Sequence, residues 1–97
     1  MANKPWHGVL TATATPFRAD LSIDFDKYAD HIKWQAENGV HGAIPNGSLG
    51  EYQVLTAQER TDMLKTALAA APTGFNIVPG VAAYGAAESR QIGRAHV

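Results

Sequence analysis

The sequence predicts an α/β fold in which parallel strands alternate with helices, the first three or so βα units of a (β/α)8 TIM barrel. Three observations carry this. Short apolar, partly β-branched runs begin near residues 8, 40 and 75, spaced by about one βα unit of roughly 30 residues. The segments between them switch to helical periodicity. The turn after the first run, ATPF, contains no G-x-G-x-x-G, and the later GSLGEYQ lacks the spacing of a phosphate loop. That turns the choice from a doubly wound sheet to a barrel. A complete barrel takes about 250 residues, and this chain has 97.

Residues 8–13 (GVLTAT) are short and β-branched, and Pro16 follows, so a strand ends before a loop there. Asp20, Leu21 and Ser22 make a polar turn. From Ile23 onward, Phe25, Tyr28, Ala29, Ile32 and Ala36 fall at helical spacing, with Asp24, Asp26 and Asp30 towards the positive end of that helix. Asn38-Gly39 ends it in a left-handed cap. Residues 40–45 form a second strand. Thr56-x-x-Glu59 reads as a capping box, with Met63, Leu64, Ala67, Leu68 and Ala71 as the buried stripe behind it. Residues 72–74 stop this helix, 75–79 (FNIVP) form a third strand, and a further helical segment begins near Ala86.

Composition excludes several classes. With 45% hydrophobic residues the chain can bury a core. A net charge of −1 gives no basis for binding nucleic acid or an anionic membrane. There is no cysteine, hence no disulfide framework and no thiolate zinc site. No apolar run approaches the ~20 residues of a membrane-spanning helix, and the first ten residues lack a secretory pattern, so a cytoplasmic location is expected. His7, His31 and His41 form no metal-binding spacing. Trp6 and Trp34 are expected to pack or to meet a second subunit.

The last residues follow a different logic. Ile92-Gly93-Arg94-Ala95-His96-Val97 is one reading frame of a common sequencing adapter, ATCGGAAGAGCACACGTC, whose next triplet is a stop. The expectation is therefore that residues 1–90 are the natural part of the chain. Residues 91–97 are then a non-native tail, with Gln91 straddling the join.

The candidate site is the turn Asn46-Gly47-Ser48-Leu49-Gly50-Glu51, at the C-terminal end of the second strand, where barrels carry their active sites. Gly47 and Gly50 are expected to supply glycine-specific backbone angles and a close approach to a ligand. Successive N–H groups in such a turn suit an anion such as a carboxylate. The Ser48 hydroxyl both donates and accepts and could relay a proton. Glu51 is expected to cap the turn's amides or hold the loop. Read from pattern alone, an ordinary strand-to-helix loop remains the alternative.

Taken together, GVLTATATPF, GVHGAIPNGSLGEYQVLTAQER and FNIVPGVAAYGAAES resemble the dihydrodipicolinate synthase/N-acetylneuraminate lyase family over residues 8–90. The motifs are T-P-F after strand one, G-[ST]-x-G-E after strand two, the L-T-x-x-E-R helix start and G-V-x-A after strand three. The resemblance implies a barrel, usually a homotetramer, acting on pyruvate or another 2-oxo acid. A sixth-strand lysine forms a Schiff base with the substrate, with no cofactor and no metal. It also implies that Ser48 is the relay hydroxyl and that Gly47, Ser48 and Leu49 cradle the carboxylate. Thr15 lines the pocket behind them, with Pro16 and Phe17 shaping the first loop.

Neither the lysine nor the tyrosine partner of the relay falls in this chain. Lys4 precedes strand one, Lys27, Lys33 and Lys65 lie on outer helices, and Tyr28 and Tyr52 are expected to pack. Two positions depart from the family pattern. Leu49 replaces a second hydroxyl residue, a lost donor worth on the order of 1–3 kcal/mol if uncompensated. Tyr84 stands where synthases carry asparagine. Both count against synthesis of the lysine precursor and leave aldolase or dehydratase action on another 2-oxo acid. A non-catalytic 2-oxo-acid-binding or regulatory barrel is the alternative for the full-length protein, and the isolated 97 residues are expected to be inactive.

Overall fold

The structure is a computed structural model and describes residues 7–81, 86, 87 and 90. Its elements run β1 (Leu10–Ala12), α1 (Phe25–Glu37), β2 (Gly42–Ile44), α2 (Ala57–Ala70) and β3 (Asn76–Ile77). The three strands form one sheet in the order β1-β2-β3, and both pairings are parallel. Leu10, Thr11 and Ala12 stand opposite Gly42, Ala43 and Ile44, while Gly42 and Ala43 stand opposite Asn76 and Ile77. The strands are shorter than the apolar runs that announce them. Neighbouring backbones come so close at Gly42 that a β-carbon there would lie 2.4 Å from the carbonyl oxygen of Asn76.

Helix α1 begins as its sequence requires. The Asp24 carboxylate accepts the Lys27 N–H at 3.0 Å, and Asp26 lies in the first turn. Gly39, at φ 88°, provides the left-handed exit. Tyr28, Ile32 and Gln35 form the fully buried face, and Phe25, Ala29 and Ala36 flank it half-buried. The capping box of α2 is complete. Thr56 Oγ1 accepts the Glu59 N–H at 3.0 Å, and Glu59 Oε1 accepts the Thr56 N–H at 2.7 Å.

The two helices pack on each other over one face of the sheet. Ile23, Tyr28, Ile32, Ala43, Leu55, Met63 and Ala67 meet there as the core. Leu68, expected in the buried stripe, is instead exposed. It lies about 100° around the helix from Ala67, at the stripe's edge, and no element among the described residues covers it. The fourth position of the stripe is filled from the other end, by Arg60, which is 2% exposed.

Other expectations fall into place locally. His41 fixes the start of β2, its Nδ1 accepting the Val9 N–H at 2.8 Å. Trp34 is exposed and stacks on His31, with ring planes 8° apart. Phe17 bridges Ile23 across the polar turn, where Asp20 accepts both the N–H and the hydroxyl of Ser22. Those hydrogen bonds, the hydroxyl's first, hold the Asp20 carboxyl below its ordinary range. Ala86, Ala87 and Arg90 are helical, where the sequence begins a helix. Lys4, Trp6, Tyr84 and residues 91–97 lie outside the described residues.

Tyr28 gives a pH prediction. Its ring is wholly buried, and its hydroxyl pairs with Thr13 Oγ1 at 2.8 Å. Burial pushes its pKa up to about 12 from 10.0, against the weaker lowering effect of the Thr13 hydrogen bond. The folded state therefore holds this proton more tightly than the unfolded state does. The resulting stability is complete below pH 10 and is lost as pH rises through about 12. Two units correspond to about 3 kcal/mol. Urea melts of the full-length protein across this window should lose that much more stability than melts of Tyr28→Phe, which has no proton to lose.

Candidate functional site

Because all three strands run the same way, the residues that follow them gather at one end of the sheet. Thr13 and Thr15 follow β1, residues 46–50 follow β2, and Gly80 follows β3. Hydrogen bonds tie these segments together. The Gly80 N–H donates to the Pro45 carbonyl at 2.9 Å, and the Thr15 hydroxyl donates to the Gly50 carbonyl at 2.6 Å. Thr15 is buried. It stands beside the turn, with its hydroxyl proton engaged on the turn's backbone. It also lines a shallow cleft with Ala14, Pro16, Lys27 and His31.

The turn's own hydrogen bonds divide its amides into two sets. The N–H groups of Gly50 and Tyr52 donate to the Gly47 carbonyl at 3.0 and 3.4 Å, and that of Glu51 donates to the Ser48 carbonyl at 3.1 Å. Those of Gly47, Ser48 and Leu49 donate to no acceptor among the described residues. Three successive amides are thus left at the strand ends, an arrangement that suits a carboxylate. Ser48 lies among them, exposed, its hydroxyl without a partner among the described residues. Leu49 is 66% exposed and presents an apolar side chain beside the amides.

The backbone angles correct one expectation. The left-handed conformations fall on Asn46 (φ 62°) and Glu51 (φ 60°), not on Gly47 or Gly50. Asparagine tolerates that region because its short polar side chain bonds locally, and here Asn46 Nδ2 donates to the Arg60 carbonyl at 3.1 Å. Gly50 is needed for space instead. A β-carbon there would lie 3.1 Å from both the Asn46 nitrogen and the Thr13 carbonyl oxygen. Gly47 has nothing within 4 Å of its missing β-carbon, which leaves its backbone open to an incoming group. Glu51 makes no side-chain cap; it is exposed and leads into a one-turn 3-10 helix, Tyr52–Val54, that the sequence reading missed.

Sequence reasoning also missed Arg60. Its Nη2 donates to the Gly80 carbonyl at 2.9 Å, and its guanidinium lies 5.2 Å from the centre of the Tyr52 ring. The signal was available, since position 60 continues the Met63-Leu64-Ala67 stripe backwards by three and four residues. The lysines Lys27, Lys33 and Lys65 are exposed on the helices. Among the described residues no three His, Asp or Glu side chains converge as a metal site, and no helix is long and apolar enough to cross a membrane.

Comparison with known proteins identifies the family and the fold. The model of the dihydrodipicolinate synthetase family matches residues 5–96. An uncharacterized DapA-like lyase of Thermofilum pendens is 36% identical over 89 residues, 92% of this chain and 30% of that protein. The N-acetylneuraminate lyase of Proteus mirabilis superposes with a TM-score of 0.86 at 26% identity, covering 91% of this chain and 30% of the other. The dihydrodipicolinate synthase (DHDPS) of Cyanidioschyzon merolae, solved with lysine bound, superposes with a TM-score of 0.89 at 24% identity, covering 96% and 32%. The order β1-β2-β3 would also fit half of a doubly wound sheet; the likeness to these structures makes it the start of a TIM barrel. This chain spans about a third of the length of the proteins it matches. With the family model covering nearly its whole length, the chain belongs to the dihydrodipicolinate synthetase family.

Proposed function

We propose that the full-length protein carrying this sequence is a lyase of the aldolase, synthase or dehydratase type, acting on pyruvate or another 2-oxo acid through a lysine Schiff base. The observation that carries this reading is the set of unengaged amides at Gly47, Ser48 and Leu49 around an exposed Ser48 hydroxyl. Its similarity to lyases and synthases supports the reaction class. In this reading the substrate carboxylate sits on the three amides. A lysine amine from beyond this chain adds to the keto carbon, water leaves, and the protonated imine draws electrons from the adjacent bond. Ser48 hands on the proton that each of these steps moves. The full-length protein is taken to be a cytoplasmic homotetramer without metal or cofactor.

Borohydride reduction in the presence of pyruvate tests the reading. A lysine of the full-length protein should be trapped irreversibly, and digestion followed by mass spectrometry should place it outside the 97 residues. The 97 residues alone should trap nothing, since their described lysines lie on the outer helices. They should also aggregate, because β1 and β3 are strand edges without a partner among the described residues. Trapping on Lys27, Lys33 or Lys65 would sink the assignment.

A second reading is favoured by Leu49, which puts an exposed apolar side chain where the family pattern has a hydroxyl. In it the barrel binds a 2-oxo acid without turning it over. Calorimetric binding of pyruvate with no trapped adduct would select this alternative.

A further inference from the structure

We propose that Arg60 is the positioning residue of the carboxylate cradle. This deepens the proposed function and rests on it. The turn has a beginning, an end and a backing, and Arg60 touches all three. Its carbonyl accepts the Asn46 side-chain amide at 3.1 Å, which holds the left-handed residue where the turn begins. Its guanidinium lies 5.2 Å from the centre of the Tyr52 ring, and the Tyr52 N–H closes the turn onto Gly47. Its Nη2 donates to the Gly80 carbonyl at 2.9 Å, while the Gly80 N–H donates to Pro45, the residue before the turn. Gly80 fits tightly against that backbone, since a β-carbon on it would lie 2.5 Å from the Asn46 carbonyl oxygen.

The chemistry at position 60 explains why the residue is arginine. A side chain 2% exposed beneath a loop could be filled by methionine or leucine if packing were its whole task. A guanidinium is planar, so one face can lie on an aromatic ring while an edge N–H points at a carbonyl. Lysine presents a point charge and cannot hold both directions at once. The two contacts fix the distance between the turn after β2 and the segment after β3. That distance sets where the amides of Gly47, Ser48 and Leu49 stand relative to the rest of the barrel mouth. In this role Arg60 acts through the turn.

The test uses the full-length protein, pyruvate as the probe, and two variants that disturb the same contact from opposite sides. Arg60→Lys keeps the charge and removes the fork. Gly80→Ala leaves Arg60 intact and forces the backing away from Asn46. Both are expected to raise the KM for pyruvate about tenfold, as one lost charge-assisted hydrogen bond's worth of alignment would. Both should also lower kcat by roughly ten- to a hundredfold through displacement of Ser48. A merely structural role gives a different pattern. Partial unfolding lowers apparent kcat in proportion to the active fraction, counted by borohydride trapping, and leaves KM unchanged.

If Arg60→Lys fails to fold, Gly80→Ala alone decides between the two patterns. Unchanged KM in folded variants, with trapping normal in the parent, overturns the positioning role and leaves the proposed function standing. A parent protein that neither binds nor traps pyruvate or any of a panel of other 2-oxo acids overturns the function, and the inference falls with it; where another 2-oxo acid is the one trapped, it replaces pyruvate as the probe.

Discussion

Replacing Ser48 by alanine in the full-length protein should lower kcat by about 10²- to 10⁴-fold, the range for losing a positioned proton-transfer group. The hydroxyl is exposed among three unengaged amides and has no other partner among the described residues, so its loss leaves no broken structural bond behind. The melting temperature should therefore hold. The amides belong to the backbone and survive the substitution, so KM for pyruvate should change much less than kcat. Stopped-flow absorbance and borohydride trapping would separate the steps: the imine should still form, more slowly, and the later proton transfer should limit turnover. Ser48→Thr should keep most of the activity, because the hydroxyl stays in place. A Ser48→Ala enzyme as fast as its parent would remove this residue from the mechanism.

Replacing Tyr28 by alanine should be among the most damaging single changes to stability. The ring is wholly buried between α1 and the sheet, with Ile32 beside it on the same helix face, and its hydroxyl meets Thr13. Deleting a buried aromatic ring costs about 3–5 kcal/mol when the site cannot collapse. Here a parallel sheet and two packed helices surround it, which resists collapse. For a chain of barrel size this corresponds to a fall in Tm of roughly 10 °C, read by thermal denaturation of the full-length protein. Tyr28→Phe keeps the ring and loses only the hydrogen bond, at about 1 kcal/mol. The contrast between the two separates volume from polarity. Thr13 begins the segment that carries Thr15 to the turn, so Tyr28→Ala should also raise KM, whereas Tyr28→Phe should leave it nearly unchanged.

The elements legible in the sequence were those decided within a few residues. The acidic start of α1, the Gly39 exit, the Thr56–Glu59 box and the Tyr28–Ile32 face depend on spacing along one helix, and each stands where the sequence put it. The turn at residues 46–51 was also legible, because glycines and a hydroxyl at a strand end form a local pattern. Its internal geometry was not. Gly47 and Gly50 looked like the residues with unusual angles, but Asn46 and Glu51 carry them. Asn46 can do so because Arg60, fourteen residues on, supplies the carbonyl that its side chain bonds.

The sequence by itself thus determined the alternation of strands and helices, the helix ends and the position of the candidate cradle. All of these follow from backbone preference and short-range periodicity. Tertiary structure decided which amides remain unengaged, why Gly50 and Gly80 must lack a side chain, and that Arg60 is buried behind the turn while Leu68 is exposed. Those outcomes depend on how closely β1, β2 and β3 and the segments after them approach one another. That approach is set by the packing of residues 20 to 40 positions apart, which no local pattern records.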